Sequence, residues 1–157
     1  KKKIAEVSLE KETSDETLKK AIADGTDEDI EIKTSDLSAL SGLIEVRGIH
    51  PEHLPSGWVC EEYRYIRIDS IIYYAESYLK GQERIEYRCT IFPEADLVVG
   101  GMEQNEAGQE EKIGSTKVYI ASNIEKKMAN WNRNLLNFSI YGNYTFEELQ
   151  QFILRNQ

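Results

Sequence analysis

The end of the chain constrains the fold most, because a strand-like run passes directly into a short helix. In LLNFSIYG, apolar side chains alternate with polar ones, which is typical of a strand whose sheet has one solvated side. The apolar set consists of Leu136, Phe138 and Ile140. We therefore expect the last strand to pack one of its faces against a hydrophobic core.

The following run, TFEELQQFI, predicts an amphipathic helix. Thr145 stands at the N-cap, and Glu148 is three residues further on, as in a capping box. Phe146, Leu149 and Ile153 recur at the spacing of one helical face. Since an isolated helix of about ten residues is marginal in water, we expect this apolar face to cover the inner side of the sheet.

Earlier segments with strand character include WVCEEYRYIRI, IIYYAESYL, RIEYRCTIF and KVYIA. The alternation of the first slips around Glu61–Glu62, which predicts a β-bulge. The second and third flank KGQ and predict a hairpin. A three-residue turn there gives a more continuous apolar face, including Tyr73 and Ala75, than the alternative two-residue turn at Lys80-Gly81.

Together these segments predict an α+β fold with a curved, half-barrel-like antiparallel sheet of about five or six strands. We expect the C-terminal helix to pack on one face, together with a second helix between Thr13 and Gly25. Residues 1–45 are acidic and form an N-terminal segment that either belongs to the domain or tethers it. Residues 46–157 form the sheet and helix domain. Glycines and glutamates between Glu94 and Lys112 predict a surface loop.

The charge of the chain bears on its partners. Its formal net charge is −9, and its few basic runs are short. Nucleic-acid binding requires clustered Lys and Arg, so we expect no nucleic-acid partner. The uncharged run 134–146 is too short and too polar to span a membrane. Because the chain begins with Lys1, we expect a signal peptide or a membrane anchor upstream of it.

Two histidines and an acidic run are the candidate metal ligands. His50 and His53 lie in HPEHLP, where the prolines prevent the helix that would bring the two rings together. An exposed loop whose histidines titrate near neutrality is the favoured interpretation. The run DGTDEDIE lacks the order of an EF-hand and is typical of a solvated surface. We therefore expect no metal site and no cofactor.

Cys60 and Cys89 lie on strands that a third strand should separate. A disulfide requires Cα atoms closer than about 7 Å, so we expect two unpaired thiols, with Cys89 facing the core. No nucleophile elbow, P-loop or dinucleotide fingerprint is present in the sequence.

The nine tyrosines are the most informative feature of the composition. Strand alternation turns some of them outward, and tyrosine is favoured at interfaces because it combines apolar area with a hydroxyl. The candidate binding residues are Tyr63, Tyr65, Tyr74 and Tyr78. The alternative is the ordinary preference of tyrosine for half-buried sheet positions.

The order of LPSGW, a Tyr-rich hairpin, IGSTKVYIA, FSIYGN and TFEELQQFI resembles a domain-of-unknown-function family of Gram-positive bacteria. Gly57, Trp58, Gly114, Trp131 and Glu148 carry the resemblance. That family is often found at the C-terminal, outward-facing end of single-span membrane proteins related to anti-sigma factors. Its half-barrel is similar to those of lipoprotein carriers.

The resemblance implies a non-enzymatic extracytoplasmic domain that binds a protein, a peptide or a cell-envelope ligand for a membrane-anchored regulator. A carrier of an apolar ligand is the alternative. It would need an unfilled apolar cavity larger than about 300 Å³. An enzyme would need a polar cluster with perturbed titration in a cleft, and we expect none.

Overall fold

A computed structural model describes residues 4–9, 29–44, 48–93 and 108–157, with the backbone alone for residues 4–9. The described residues form one sheet of nine strands. These are β1 (Ile4–Leu9), β2 (Asp29–Thr34), β3 (Trp58–Ile68), β4 (Ile71–Lys80), β5 (Glu83–Ile91), β6 (Gly108–Ile113), β7 (Thr116–Ser122), β8 (Lys127–Arg133) and β9 (Leu136–Gly142). A 3-10 helix (Leu37–Leu40) follows β2, and the α-helix α1 (Phe146–Arg155) follows β9.

The order of the strands across the sheet is β1-β2-β3-β4-β5-β9-β8-β7-β6. Strands β2 to β5 and strands β6 to β9 are two consecutive antiparallel runs, and β5 pairs with β9 to join them. β1 lies parallel to β2 at one edge. No helix in the part of the chain that the structure describes is long and apolar enough to cross a membrane.

The α+β class and the antiparallel sheet are confirmed, but the predicted number of strands is wrong. Strands β2 to β9 are eight antiparallel strands rather than five or six. Strand β6 lies in the stretch that was predicted to be a loop. It was not predicted as a strand because four of its six residues are exposed and its sequence shows no apolar alternation. Charged side chains on an edge strand discourage pairing with other chains. The rest of that predicted loop, 94–107, and the helix predicted between Thr13 and Gly25 lie outside the described residues.

Four hairpins use two-residue turns, and in each the first turn residue has a positive φ. These residues are Asp69, Gly81, Gly114 and Asn134, at φ 56, 63, 62 and 55. A positive φ costs glycine nothing and is tolerated by Asp and Asn. Each turn is therefore fixed by the residue type at its first position.

This rule explains why the predicted register of the β4–β5 hairpin is wrong. The turn consists of Gly81 and Gln82, so Tyr74 pairs with Cys89 and Tyr78 pairs with Ile85. Neither the three-residue turn nor the Lys80-Gly81 turn is present. A slip of one residue exchanges the two faces of a strand. Consequently the even-numbered residues of β4, not Tyr73 and Ala75, face the core. The β3 bulge is confirmed, as a register shift between Cys60 and Glu62.

The core lies on one face of the sheet and is covered by two elements. The C-terminal helix packs there as predicted, through its buried residues Leu149, Phe152 and Ile153. The ring of Phe152 lies 5.5 Å from that of Tyr87 and 5.9 Å from that of Trp58. The second cover is the segment between β2 and β3, in which Leu40, Ile44 and Ile49 are buried. Residues 29–44 thus contribute both a strand and core residues.

The predicted capping box is confirmed. The Thr145 side chain accepts a hydrogen bond from the Glu148 N–H at 3.1 Å, and the Glu148 carboxylate accepts one from the Thr145 N–H at 2.9 Å. The same carboxylate accepts from Trp58 Nε1 at 2.7 Å and pairs with Lys80 Nζ at 2.7 Å. Burial alone would raise the pKa of Glu148, but these hydrogen bonds outweigh burial and lower it. The contact with Trp58 joins two positions that carry the family resemblance, and it fixes the helix onto β3.

Candidate functional site

Glu76 lies in the middle of β4 on the core face, between Tyr74 and Tyr78, and none of its surface is exposed. A buried carboxylate is costly unless hydrogen-bond donors surround it. Three donors lie close to it: the hydroxyls of Tyr74 and Tyr78, the latter at 3.0 Å, and Nδ1 of His50 at 2.6 Å. The Cys60 thiol is a fourth, weaker donor at 3.9 Å. We call Glu76, His50, Tyr74, Tyr78 and the neighbouring Cys60 the Glu76 cluster.

His50 connects the Glu76 cluster to the surface. Its side chain is 26% exposed, and its ring meets that of Tyr63 edge-on at 6.1 Å. The pKa of His50 is raised above the usual value because its hydrogen bond to the Glu76 carboxylate raises it more than burial lowers it. A protonated His50 forms a charge-assisted hydrogen bond with Glu76. The expectation of an exposed loop is therefore confirmed for His53 but not for His50, which lies in the loop with most of its side chain covered.

The tyrosine hydroxyls and thiols around Glu76 remain protonated near neutral pH. Burial raises the pKa of Tyr74 and of Tyr78 well above that of free tyrosine. Burial also raises the pKa of Cys60 to about 11 and that of Cys89 to about 12. Both cysteines are free, as predicted, and Cys89 is fully buried in the core. Neither thiol has the lowered pKa of a nucleophilic cysteine.

The segment Gly48–His53 packs against the sheet beside the Glu76 cluster, and we call this segment the wall. Arg133 donates to the Gly48 carbonyl at 2.6 Å, the Tyr87 hydroxyl donates to the Ile49 carbonyl, and His50 binds Glu76. At its far end, the His53 N–H and carbonyl make reciprocal hydrogen bonds of 3.0 and 2.7 Å with the Asn156 side chain. The wall is thus held at four points.

A cleft of about 1200 Å³ opens between this wall, the end of α1 and strands β7 and β8. The β7–β8 ladder pairs only Tyr119–Ser122 with Lys127–Asn130, so the start of β7 and the end of β8 lie beyond it, and both line the cleft. The floor consists of the rings of Tyr87, Trp131, Phe138 and Phe152, which are between 2 and 9% exposed. We call this space the cleft. Polar and apolar groups contribute about equally to its lining.

Five charged side chains lie on the rim of the cleft. Lys117, Arg133 and Arg155 are cationic, and Glu52 and Glu110 are anionic; all five are exposed. The guanidinium carbon of Arg133 lies 4.9 Å from the centre of the Phe138 ring. His50 also lines the cleft, so the Glu76 cluster is linked to it through one titratable group. Sequence reasoning did not identify the cationic rim, because its residues come from three separate elements.

The candidate binding tyrosines lie elsewhere than expected. Tyr65, Tyr74 and Tyr78 are 3, 0 and 0% exposed, so they do not form an outward surface. Tyr63 is partly exposed beside His50. A binding role for Tyr63 stays a prediction. Alternation does turn one tyrosine of β4 outward, but it is Tyr73, under the guanidinium of Arg88 at 5.6 Å.

The described residues contain no group of three or more His, Cys, Asp or Glu side chains that could hold a metal ion. Glu76 was not identified from the sequence. The available signal was a single carboxylate at i+2 from one tyrosine and i−2 from another, in a strand that is otherwise apolar.

Comparisons with known proteins give no family. No family model matches the chain, and no curated protein matches it. One similar solved structure is the crystal structure of MucB in complex with MucA(peri), with a TM-score of 0.38 and 13% sequence identity. The similarity covers 68% of this chain and 34% of that one, so the match spans about a third of the MucB chain. A likeness of this degree defines neither the family nor the partner.

Proposed function

We propose that this chain is a non-enzymatic domain that binds a segment of a partner protein in the cleft. The observation that supports this most strongly is the cleft itself: a space of about 1200 Å³ with a rigid aromatic floor and a polar, charged rim. Pockets for small molecules are mostly apolar and measure about 300–1000 Å³. An open cleft of this size with many polar groups suits an extended polypeptide better.

The same features argue against a carrier of an apolar ligand. The rings that could line an apolar cavity pack against one another instead, with the rings of Tyr78 and Tyr87 6.5 Å apart and those of Trp131 and Phe138 5.5 Å apart. About half of the lining of the cleft is polar, and charged side chains stand on its rim, so an acyl chain would meet polar groups as well as aromatic rings. A carrier would require an enclosed, mostly apolar cavity, and the cleft is open.

The Glu76 cluster is the arrangement that an enzyme would need to place in a cleft, and its geometry favours a structural role. Both carboxylate oxygens already have two partners each. Oε1 accepts from the Tyr78 hydroxyl and weakly from the Cys60 thiol at 3.9 Å. Oε2 accepts from Tyr74 and His50. No lone pair remains directed at a substrate, and only His50 reaches the cleft. We therefore infer that the cluster fixes the wall of the cleft.

The proposed location is the outer side of a bacterial membrane, as part of a membrane-anchored regulator. This part of the proposal rests on the resemblance of the sequence motifs around Trp58 and Glu148. Within the fold these two residues contact each other, which gives the motifs a structural reason.

Blocking the cleft tests the proposal. The variant Glu52→Cys places a thiol on the exposed rim, and a bulky maleimide attached to it would obstruct the cleft. Ser70→Cys carries the same label in the exposed β3–β4 turn and serves as the matched control. Cys89 is buried, and the raised pKa of the partly exposed Cys60 thiol slows its reaction near neutral pH, so the label reacts first with the introduced cysteine.

Peptides of about twelve residues, which span about 40 Å when extended, are first selected from a random library on the unlabelled protein. The binding of these peptides to both labelled proteins is then measured. We expect label at position 52 to weaken binding by about tenfold or more, and label at position 70 to leave it unchanged. Selection of no peptide, or equal binding by both labelled proteins, would contradict the proposal.

A further inference from the structure

Three exposed cations meet at the cleft without an ion pair, a state that Lys33, Arg88, Lys112 and Lys127 share elsewhere in the described part of the chain. Outside the cleft, Arg64, Lys80, Arg84 and Lys126 form ion pairs with carboxylates. Among the described residues, Lys117, Arg133 and Arg155 form none, although the chain carries a net charge of −9. The rim carries these three cations and the two carboxylates of Glu52 and Glu110, so in an acidic protein it is a locally positive surface that complements an anion.

Arg133 is positioned to bind a carboxylate. Its guanidinium packs on Phe138, and Nη2 donates to the Gly48 carbonyl at 2.6 Å, which holds the side chain in one orientation. A guanidinium has five N–H donors, and this contact uses one. The remaining donors are exposed at the rim, where they could form the paired hydrogen bonds that arginine makes with carboxylates.

Lys117 gives a second, independent observation. In the β6–β7 ladder it stands directly opposite Lys112. Like charges directly opposite each other destabilise an antiparallel pair. Glu110 lies two residues from Lys112 on the same face of β6 and offsets part of this repulsion, and a carboxylate bound beside Lys117 would offset more of it.

We propose that the partner segment bound in the cleft is acidic, with Asp or Glu side chains that contact Lys117, Arg133 and Arg155. This inference rests on the proposed function, because it names the chemistry of the ligand for the same cleft. Glu52 and Glu110 on the rim set the register: they repel an acidic residue placed beside them and favour a neutral or basic one there. The best ligand therefore has several carboxylates, interrupted by uncharged residues.

The test reverses the charge of the two cations that make no contact with the wall. The variant Lys117→Glu/Arg155→Glu changes the exposed rim and leaves Arg133 in place. Its control, Lys33→Glu/Lys126→Glu, makes the same change in net charge away from the cleft; the surface pair that Lys126 loses contributes about 0–1 kcal/mol. Thermal melting establishes that both variants are folded.

The probes are the library-selected peptides and versions of them in which every Asp and Glu is replaced by Asn and Gln. We expect the selected peptides to be acidic, the amide versions to bind about tenfold more weakly or worse, and the Lys117→Glu/Arg155→Glu variant to lose binding while the control retains it. Binding should also weaken as salt concentration rises.

The outcomes separate the two proposals. If peptides bind in the cleft but the amide versions and the charge-reversal variant bind equally well, the acidic partner is wrong and the proposed function stands. If a label at position 52 does not reduce binding, both are wrong. If an anionic cell-envelope polymer competes for the cleft while acidic peptides do not bind, a peptide partner is contradicted.

Discussion

Glu76→Gln is the substitution that tests the wall of the cleft most sharply. Glutamine has nearly the same shape, so the packing around position 76 is retained. It replaces a carboxylate that accepts from Tyr74, Tyr78 and His50 by an amide with one accepting oxygen. The charge-assisted hydrogen bond to His50 is lost, and one donor of the cluster is left without an acceptor.

The expected magnitude follows from the geometry. Hydrogen bonds to charged groups contribute about 1.5–3 kcal/mol, so we expect a loss of about 2 kcal/mol in the free energy of unfolding at about pH 6. For a chain of this length, that corresponds to a fall of about 4–8 °C in Tm.

The effect should depend on pH with a definite sign. The pKa of His50 is raised in the folded state, so its contribution to stability is fully present below the unfolded value of about 6.5 and is lost as pH rises through the folded value. Once the ring is neutral at high pH, its N–H still donates to the carboxylate, but the attraction between imidazolium and carboxylate is lost, so the contact contributes less to stability. The Glu76→Gln variant should therefore be closer in stability to the unmodified protein at high pH.

Urea unfolding at both pH values measures this, with His50→Gln and the double variant completing a mutant cycle. His50→Gln keeps a neutral N–H donor and removes the titration. The coupling between the two positions should be larger at about pH 6 than at about pH 9. A coupling that is equal at the two pH values, or below about 0.5 kcal/mol at both, would refute the role given to this pair.

Three further predictions concern other parts of the fold. Thr145→Ala removes the capping hydrogen bond to Glu148 and should lower the free energy of unfolding by about 1 kcal/mol, measured by urea denaturation; an unchanged midpoint would contradict the cap. Gly142→Ala would place a Cβ 2.9 Å from the Arg84 carbonyl oxygen, so overpacking should cost about 1–3 kcal/mol, with a fall in Tm as the readout. Cys60 and Cys89 should react with Ellman's reagent only after unfolding, because burial raises the pKa of both thiols; rapid native labelling of either would argue against their placement.

The C-terminal helix and the β3 bulge were predicted correctly because their signals are local. The capping box depends on residues three apart, Thr145 and Glu148, so its chemistry can be read directly along the chain. The additional contact of Glu148 with Trp58 could not be predicted, because 90 residues separate the two side chains. The edge strand β6 was missed since an exposed edge requires charge rather than apolar alternation.

The Glu76 cluster was not predicted because the register of the β4–β5 hairpin was wrong by one residue. Choosing a three-residue turn placed Tyr73 and Ala75 on the apolar face of β4, and Glu76 with its flanking tyrosines then pointed outward. The positive φ of Gly81 fixes a two-residue turn that begins at that glycine, and every side chain of the strand exchanges faces. With the correct turn, the sequence would have placed a carboxylate between two tyrosines inside the core and required a partner such as His50.

The central claim is that the cleft is the binding site, and amide chemical-shift mapping tests it most directly. A peptide selected on the unmodified protein is titrated into the isotopically labelled domain. We expect the largest shifts in the wall at Gly48–His53, at Thr116–Tyr119 of β7, at Trp131–Arg133 of β8 and at the end of α1. Shifts confined to the opposite face of the sheet, around Arg64, Tyr73 and Arg88, would show that the partner does not bind in the cleft.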